Sequence, residues 1–347
     1  MTFFLHGLGH FHPENEVTNA FLEALDIGTT EAWIMERVGI RSRRTTLPLD
    51  YIRTTRNRDP RAAQEATVYT HAEAGRHAAA MALARAGIAA ADVGMVIAGS
   101  SVMDTATPAE ACNIARALGI EAPALDVNSA CTSFFAQLHL VSLMRPDALP
   151  PFVLLVVSEA VTRAVDYADR TSAVLWGDGS VAAVVSTRVP GRARIVATTL
   201  ASSPEGADRV VVPRTGHFRQ DGRVVQMFAI RKTAQLLKQL QGAHAHDGRR
   251  FHFVGHQANL RMLEAVCRQC EIPGDRHHAN VEWYGNTAGA GAPSVLSMRW
   301  DDWTADDDVA VVGVGAGLTW ASYLLRFDAS ADERERRISM SASEGYR

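Results

Sequence analysis

Apolar residues fall into two registers along this chain. Short, nearly unbroken apolar runs, Asp92-Val-Gly-Met-Val-Ile-Ala98, Phe152-Val-Leu-Leu-Val-Val157, Val181-Ala-Ala-Val-Val-Ser186 and Asp308-Val-Ala-Val-Val-Gly-Val314, read as strands of a sheet covered on both faces. Between them, apolar residues recur at helical spacing. Phe134, Leu138 and Val141 fall at i, i+4 and i+7, one buried helical face. Further helices are expected over 29–39, over 70–86 (alanine-rich, ended by Gly87), over 108–118 (opened by Pro108, ended by Gly119), and over 228–240, 258–270 and 287–298. Residues 46–70, with the charge run Arg53-Thr-Thr-Arg-Asn-Arg-Asp-Pro60, read as a loop; Asn280-Val-Glu-Trp-Tyr284 reads as strand or extended; Leu318–Phe327 reads as a last strand.

The pattern repeats. Residues 1–187 and 188–327 each place a strand, a turn bearing a reactive side chain, and a helix. Two such halves packed together predict a layered α/β fold. The charged, serine-rich segment 328–347 lacks the apolar content to fold and is expected to be disordered.

Composition narrows the function. The 347 residues are 47% hydrophobic and 21% charged, with a formal net charge of -3. No basic tract with interleaved aromatics suggests nucleic acid. No apolar run approaches the ~20 residues that span a bilayer. The start, Met1-Thr-Phe-Phe-Leu-His-Gly, has no basic n-region, so a soluble cytoplasmic protein is expected. The four cysteines, Cys112, Cys131, Cys267 and Cys270, are too few for a disulfide framework. Cys267 and Cys270, at i, i+3 on one helix, read as packing residues. His244, His246, His277 and His278 read as surface residues in polar loops, with metal binding as the alternative.

Cys131 lies in Asp126-Val-Asn-Ser-Ala-Cys131-Thr-Ser-Phe-Phe, where a strand turns into a helix. Unpaired N–H groups and the helix dipole at such a place favour a thiolate, which is the nucleophilic form. Taken alone, the residue reads slightly better as a small buried side chain. Two other turns change the balance: Gly255-His256-Gln257-Ala258-Asn259 and Tyr284-Gly285-Asn286-Thr287-Ala288. A cysteine, an imidazole and a carboxamide suit acyl transfer. The thiolate would carry an acyl group, and His256 and Asn286 would donate hydrogen bonds to an enolate formed on a second thioester. The backbone N–H of Cys131 and one from Gly315-Ala316-Gly317 would hold the tetrahedral oxyanion. Trp33 and Arg37 share a helix face, a platform for a base or phosphate or else a partly buried indole under an arginine.

At these residues, and at Glu31–Arg41, Trp176-Gly-Asp-Gly179, His256–Arg261 and Gly313–Ala321, the chain resembles the β-ketoacyl-ACP synthase III family of the thiolase superfamily. The resemblance covers nearly all of residues 1–327. It implies a thiolase-like five-layer αβαβα fold from two pseudo-duplicated halves, and a homodimer. It implies no permanently bound cofactor and no metal, with acyl-CoA or acyl-ACP thioesters as substrates and acyl carrier protein as a partner. Within it, Cys131, His256 and Asn286 resemble the catalytic triad. Trp33 and Arg170 resemble the pair that sandwiches the adenine of coenzyme A, and Arg37 and Arg261 resemble phosphate or carrier contacts. The chain departs at Ala316, where housekeeping members carry glycine, and at Thr107, where short-chain-priming members often carry an aromatic reaching the partner's acyl pocket. With the opening His6-Gly-Leu-Gly-His-Phe-His12, these departures suggest a specialised member, similar to the synthases of dialkylresorcinol and aryl-polyene pathways. The alternatives are housekeeping initiation of fatty acid synthesis, acyl transfer to a hydroxyl or amine, or a non-catalytic partner subunit, which would lack the nucleophile. A dinucleotide-binding reading fails because the third glycine after Gly313-Val-Gly315 is Leu318.

Overall fold

The computed structural model describes residues 3–246 and 248–328. Nine strands form one mixed sheet: β1 (Phe3–Phe11), β2 (Val93–Gly99), β3 (Ala124–Asp126), β4 (Phe152–Glu159), β5 (Gly179–Ser186), β6 (Ala193–Ser202), β7 (Arg250–Gly255), β8 (Asp307–Gly315) and β9 (Thr319–Phe327), in the order β7-β8-β9-β6-β1-β5-β4-β2-β3. The β1–β6 ladder runs only from Phe3–Leu5 against Ile195–Ala193. It joins two wings, β3-β2-β4-β5-β1 and β6-β9-β8-β7. The expected boundary at 187/188 falls in the link between β5 and β6.

Period-2 alternation sorts the strand residues into layers. In β4, Val153, Leu155 and Val157 join one core while Leu154 and Val156 join another. In β8, Val309 and Val311 face the first core while Ala310 and Val312 face a third. That is why these strands are apolar throughout: each buries both faces. The helices fill the remaining layers. They are α1 (Glu31–Arg37), α2 (His71–Ala86), α3 (Glu110–Leu118), α4 (Ser133–Leu143), α5 (Gly222–His244), α6 (Leu260–Cys270) and α7 (Gly291–Met298). α4 and α7 pack against strands of both wings, α2 and α3 cover the outer face of the first wing, and α5 packs with α6 and against β7–β9 on the second. This is the expected αβαβα arrangement.

The opening His6-Gly-Leu-Gly-His has a packing explanation. A Cβ on Gly7 would lie 2.3 Å from the Ala82 carbonyl oxygen, and one on Gly9 2.0 Å from that of Ala78. The glycines of β1 and the alanine face of α2 let strand and helix approach at backbone distance. That stretch therefore records layer packing.

Several expectations needed correction. Residues 46–70 hold two short helices, Leu49–Thr55 and Pro60–Ala66. Asp59 caps the second through its side chain, Pro60 opens it, and Ile52 and Ala63 are buried, so the polar run is the solvent side of two amphipathic turns. Residues 281–284 form a helical turn, because Gln257 Oε1 accepts from the N–H groups of both Asn280 and Val281 and starts the coil. α5 starts at Gly222, capped by Asp221, well before Phe228. His278 is buried: its backbone N–H bonds Phe253 of β7, and its Nε2 lies 2.9 Å from Nδ1 of His252. The segment closes over the strand instead of facing water. Cys267 and Cys270 are free thiols packed in the α5–α6 core. Asp328 is ordered by an ion pair with Arg194 at 2.8 Å; the rest of the expected tail lies outside the described residues. Among the described residues no helix is long and apolar enough to cross a membrane.

Candidate active site

β3 ends at Asp126, whose carboxylate accepts from the N–H groups of Glu110 and Ala111 and so caps α3. The chain then makes a tight bend. Asn128 Oδ1 accepts from the Ala130 N–H at 2.9 Å, Ala130 takes a left-handed φ of 48°, and one 3-10 turn, Ala130–Thr132, precedes α4. This bend sets Cys131 at the edge of the core that Ala310 and Val312 face, opening on the cavity described below. Thr132 Oγ1 lies 2.9 Å from Thr319 Oγ1, which ties the turn to the start of β9. A Cβ on Gly315 would lie 3.3 Å from both Cβ and N of Cys131, so the Gly315-Ala316-Gly317 turn rests directly on the nucleophile candidate.

His256 follows β7. Its neighbour Gln257 is fully buried, donates to the Gly255 carbonyl at 2.6 Å and accepts from Asn280 and Val281. One side chain thus fixes the His256 turn to the segment that leads to Asn286. Gly285, with φ 69°, bends that segment; a Cβ there would lie 2.7 Å from Arg43 Cγ and 2.9 Å from the Leu175 carbonyl. The Asn286 backbone then pairs with Trp176-Gly-Asp-Gly179. Its N–H donates to Leu175 at 2.8 Å, and its carbonyl accepts from Gly177 at 3.0 Å. Asn286 Oδ1 accepts from the Ala288 N–H at 3.0 Å, which leaves the side-chain NH₂ as the free donor.

Cys131, His256 and Asn286 line one cavity of about 430 Å³, with Ala316, Trp33, Arg37 and Arg170. A second cavity of about 170 Å³ shares Cys131 and Ala316 and runs beside Trp176, Val161 and Phe218. At the first cavity, the Arg170 guanidinium carbon lies 5.0 Å from the Trp33 ring centroid. Arg37 is exposed beside it. Arg261 does not line this cavity. It donates to the Met35 carbonyl at 2.8 Å and pairs with Glu264 at 3.0 Å, bracing the back of α1. Thr107 lines neither cavity and is exposed on the loop before α3.

The electrostatics reverse one expectation. Cys131 opens on the cavity but is packed elsewhere, and burial with the Glu159 carboxyl pushes its thiol up to about 12. Its own backbone N–H lowers it by less than burial and Glu159 raise it, so the resting group is a neutral thiol. Burial also lowers His256 to about 4, so its imidazole is neutral as expected. Among the described residues its ring nitrogens have no hydrogen-bond partner, leaving them free for a ligand.

Sequence reasoning missed the residues that hold this geometry. Asp178, fully buried, accepts from the N–H and hydroxyl groups of both Thr46 and Thr162. It thereby fixes the Trp176-Gly-Asp-Gly turn against which Asn286 lies. An acidic residue between two glycines after a tryptophan was the signal for it. Gln257 and Glu159 carried none.

Comparison with known proteins agrees with the architecture. Residues 125–204 match the family model for 3-oxoacyl-[acyl-carrier-protein (ACP)] synthase III, and residues 250–327 match the model for its C-terminal part. A β-ketoacyl-[acyl-carrier-protein] synthase III from Oceanobacillus iheyensis is 32% identical over 328 residues, covering 92% of this chain and 97% of that protein. The crystal structure of 3-oxoacyl-[acyl-carrier-protein] synthase III from Aquifex aeolicus superposes with a TM-score of 0.82 at 26% identity, covering 94% of this chain and all of that one. The priming β-ketosynthase from the R1128 polyketide biosynthetic pathway gives a TM-score of 0.79 at 28% identity, covering 94% and 97%. The chain belongs to the 3-oxoacyl-[acyl-carrier-protein] synthase III family of condensing acyltransferases in the thiolase superfamily.

Proposed function

We propose that the chain joins an acyl group to a malonyl thioester at the cavity containing Cys131, His256 and Asn286. Cys131, once deprotonated, attacks the carbonyl carbon of an acyl thioester. The tetrahedral oxyanion is met by the N–H groups of Cys131 and Ala316. The carbon–sulfur bond to the donor breaks, the released thiolate takes up the proton, and the acyl group stays on Cys131. A malonyl thioester then enters. Its carboxylate leaves as carbon dioxide, and the electron pair moves into an enolate whose oxygen accepts from His256 and from the Asn286 NH₂. The α-carbon attacks the acyl–Cys131 carbonyl, the Cys131–acyl bond breaks, and a β-ketoacyl thioester departs. Neutral His256 donates without first having to lose or gain a proton.

The observation that carries this reading is the opening of all three side chains on one cavity, with the Asn286 amide oriented by Ala288. Trp33 and Arg170 would part from their 5.0 Å contact to take the adenine of a coenzyme A donor between them, with Arg37 near its phosphates. Arg261 supports this platform. Thr107, exposed beside α3, suits a homodimer in which each subunit borders the other's acyl cavity.

Fatty acid initiation from acyl-CoA and malonyl-ACP is the reading we favour, on the similarity to β-ketoacyl-[acyl-carrier-protein] synthase III relatives. A specialised role, as in dialkylresorcinol formation or polyketide priming, is the second reading. Thr107, Ala316 and the likeness to the R1128 priming β-ketosynthase favour it. Product analysis separates them. The enzyme is given acyl-CoA donors of increasing length with either malonyl-ACP or a β-ketoacyl thioester. Initiation predicts short donors and β-ketoacyl-ACP products. Condensation only with long donors and a β-ketoacyl acceptor would displace it with the specialised reading.

A further inference from the structure

Glu159, the last residue of β4, is 2% exposed, lies outside both cavities, and has no part in the chemistry above. Its carboxylate accepts from the Ser101 N–H at 2.8 Å, from the Ser101 hydroxyl at 3.1 Å and from the Gly289 N–H at 3.3 Å. Ser101 borders the second cavity, and Gly289 lies in the helical turn Ala288–Ala290, three residues after Asn286. A Cβ on Gly289 would lie 3.2 Å from Glu159 Oε1 and 3.1 Å from the Ala130 carbonyl oxygen, so the carboxylate and the Cys131 bend meet at this glycine. A side chain at this position would crowd both.

We propose that Glu159 is a positioning residue: its carboxylate ties the Ser101 loop to the root of the Asn286 turn and sets a negative charge behind Cys131. The proposal rests on Cys131 and Asn286 acting as described under Proposed function. The surroundings of the carboxylate support it. The neighbours at hydrogen-bond distance present N–H or O–H groups, which suit an ionised carboxylate. Burial opposes ionisation, and the balance leaves the acid at about 7, so the charge is present for part of the time near neutrality. The titratable groups facing it are the Cys131 thiol and Asp178, neither of which neutralises it. Behind it, Ser100 Oγ lies 3.5 Å from Glu159 and 3.0 Å from His71 Nε2, and His71 Nδ1 lies 2.7 Å from Asp104, which pairs with Arg163 at 2.6 Å. The carboxylate is thus the inner end of a buried polar chain that reaches the loop bearing Thr107.

A charge behind the thiol and a strut under the carboxamide make separable predictions. Peptide-resolved mass spectrometry follows iodoacetamide alkylation of Cys131 against pH in the full chain, in Glu159→Gln and in Ser101→Ala. Removing the charge in Glu159→Gln should raise the thiolate fraction at a given pH by about tenfold, one unit of midpoint. Condensation per loaded enzyme should fall by at least about tenfold, because the amide NH₂ of Gln must face one of the donors at that site. A merely structural role would not move the alkylation profile. A folded Glu159→Gln with an unchanged profile overturns the proposal. If Glu159→Gln does not fold, Ser101→Ala decides: losing one donor makes the carboxylate easier to protonate, so alkylation of Cys131 between about pH 7 and 8, where the carboxylate titrates, should speed up by less than in Glu159→Gln, and an unchanged rate there overturns the proposal. Failure of Cys131 to load any acyl group would sink the proposed chemistry instead, and the alkylation comparison would still decide the role of Glu159.

Discussion

Cys131 and His256 occupy comparable places in the two wings, each in a turn just after a strand, yet burial moves them in opposite directions. The thiol is pushed up to about 12 and the imidazole is lowered to about 4, so both are neutral at pH 7. The same force, loss of water around the charged form, acts on an acid and on a base. It leaves the cavity without a formal charge on either group until substrate brings one. His256 is then ready to donate to a developing enolate, while Cys131 must be deprotonated for each turnover. The comparison divides the labour: one turn performs loading, and the other, with Asn286, performs condensation.

The largest effect should fall on condensation. His256→Ala or Asn286→Ala removes one donor to the enolate, and loss of such a donor costs about 10²–10³ in rate. Condensation measured by product release should drop by that amount while loading of Cys131 persists. Equal loss of both half-reactions would break the division. The next effect is the pH dependence of loading. Below a thiol value of about 12, the thiolate fraction rises tenfold per pH unit, so the loading rate should climb across the neutral range without a plateau. A plateau near pH 7 would mean that the thiol is activated by a partner. For condensation by preloaded enzyme, the loss due to His256 should appear only as it protonates through about 4, and a fall between about pH 7 and 5 would report protonation of Glu159 instead.

A smaller effect belongs to the mouth of the cavity. Trp33→Ala removes the ring on which Arg170 rests. The KM for acyl-CoA donors should rise about tenfold, with kcat and carrier-delivered donors little affected. An equal effect on both kinds of donor would give Trp33 a structural role only. The smallest effect is on stability. His10 and His256 are lowered to about 4, and His12 and His278 to about 3, all chiefly by burial. Below about 6.5 the unfolded chain binds protons that the folded chain refuses, so these four contribute stability that is lost as pH falls toward 3–4. Glu110 and Glu159, raised to about 7, work the other way between about 4.5 and 7, and the histidines outnumber them. Tm should therefore fall between pH 7 and pH 4.5 by several degrees. A constant Tm would contradict the burial of these imidazoles.

Much of this was legible in the sequence, because the decisive features are local. Unbroken apolar runs gave strands covered on both faces. Cys131, His256 and Asn286 each stand in a turn of small and polar residues at the start of a helix. The motifs Trp176-Gly-Asp-Gly179 and Gly285-Asn286 carry the glycines that the backbone contacts require. What could not be read depends on contacts between distant segments. Glu159 ends an apolar strand and looks like an ordinary boundary residue until Ser101 and Gly289 meet it. His278 looks solvent-facing until His252 lies beside it. The state of Cys131 was misjudged for the same reason: the helix terminus is visible in sequence, whereas the packing around the thiol and the nearby acid are not. Gly7 and Gly9 of the opening stretch mark close approach of β1 to α2, a contact between distant segments.

The most direct test is the intact mass of the protein after incubation with a short acyl-CoA, compared across the unmodified chain, Cys131→Ala and His256→Ala. The account predicts that the unmodified chain and His256→Ala both gain one acyl group and that Cys131→Ala gains none. Loading of Cys131→Ala, or a His256→Ala protein that loads no better than Cys131→Ala, would contradict it.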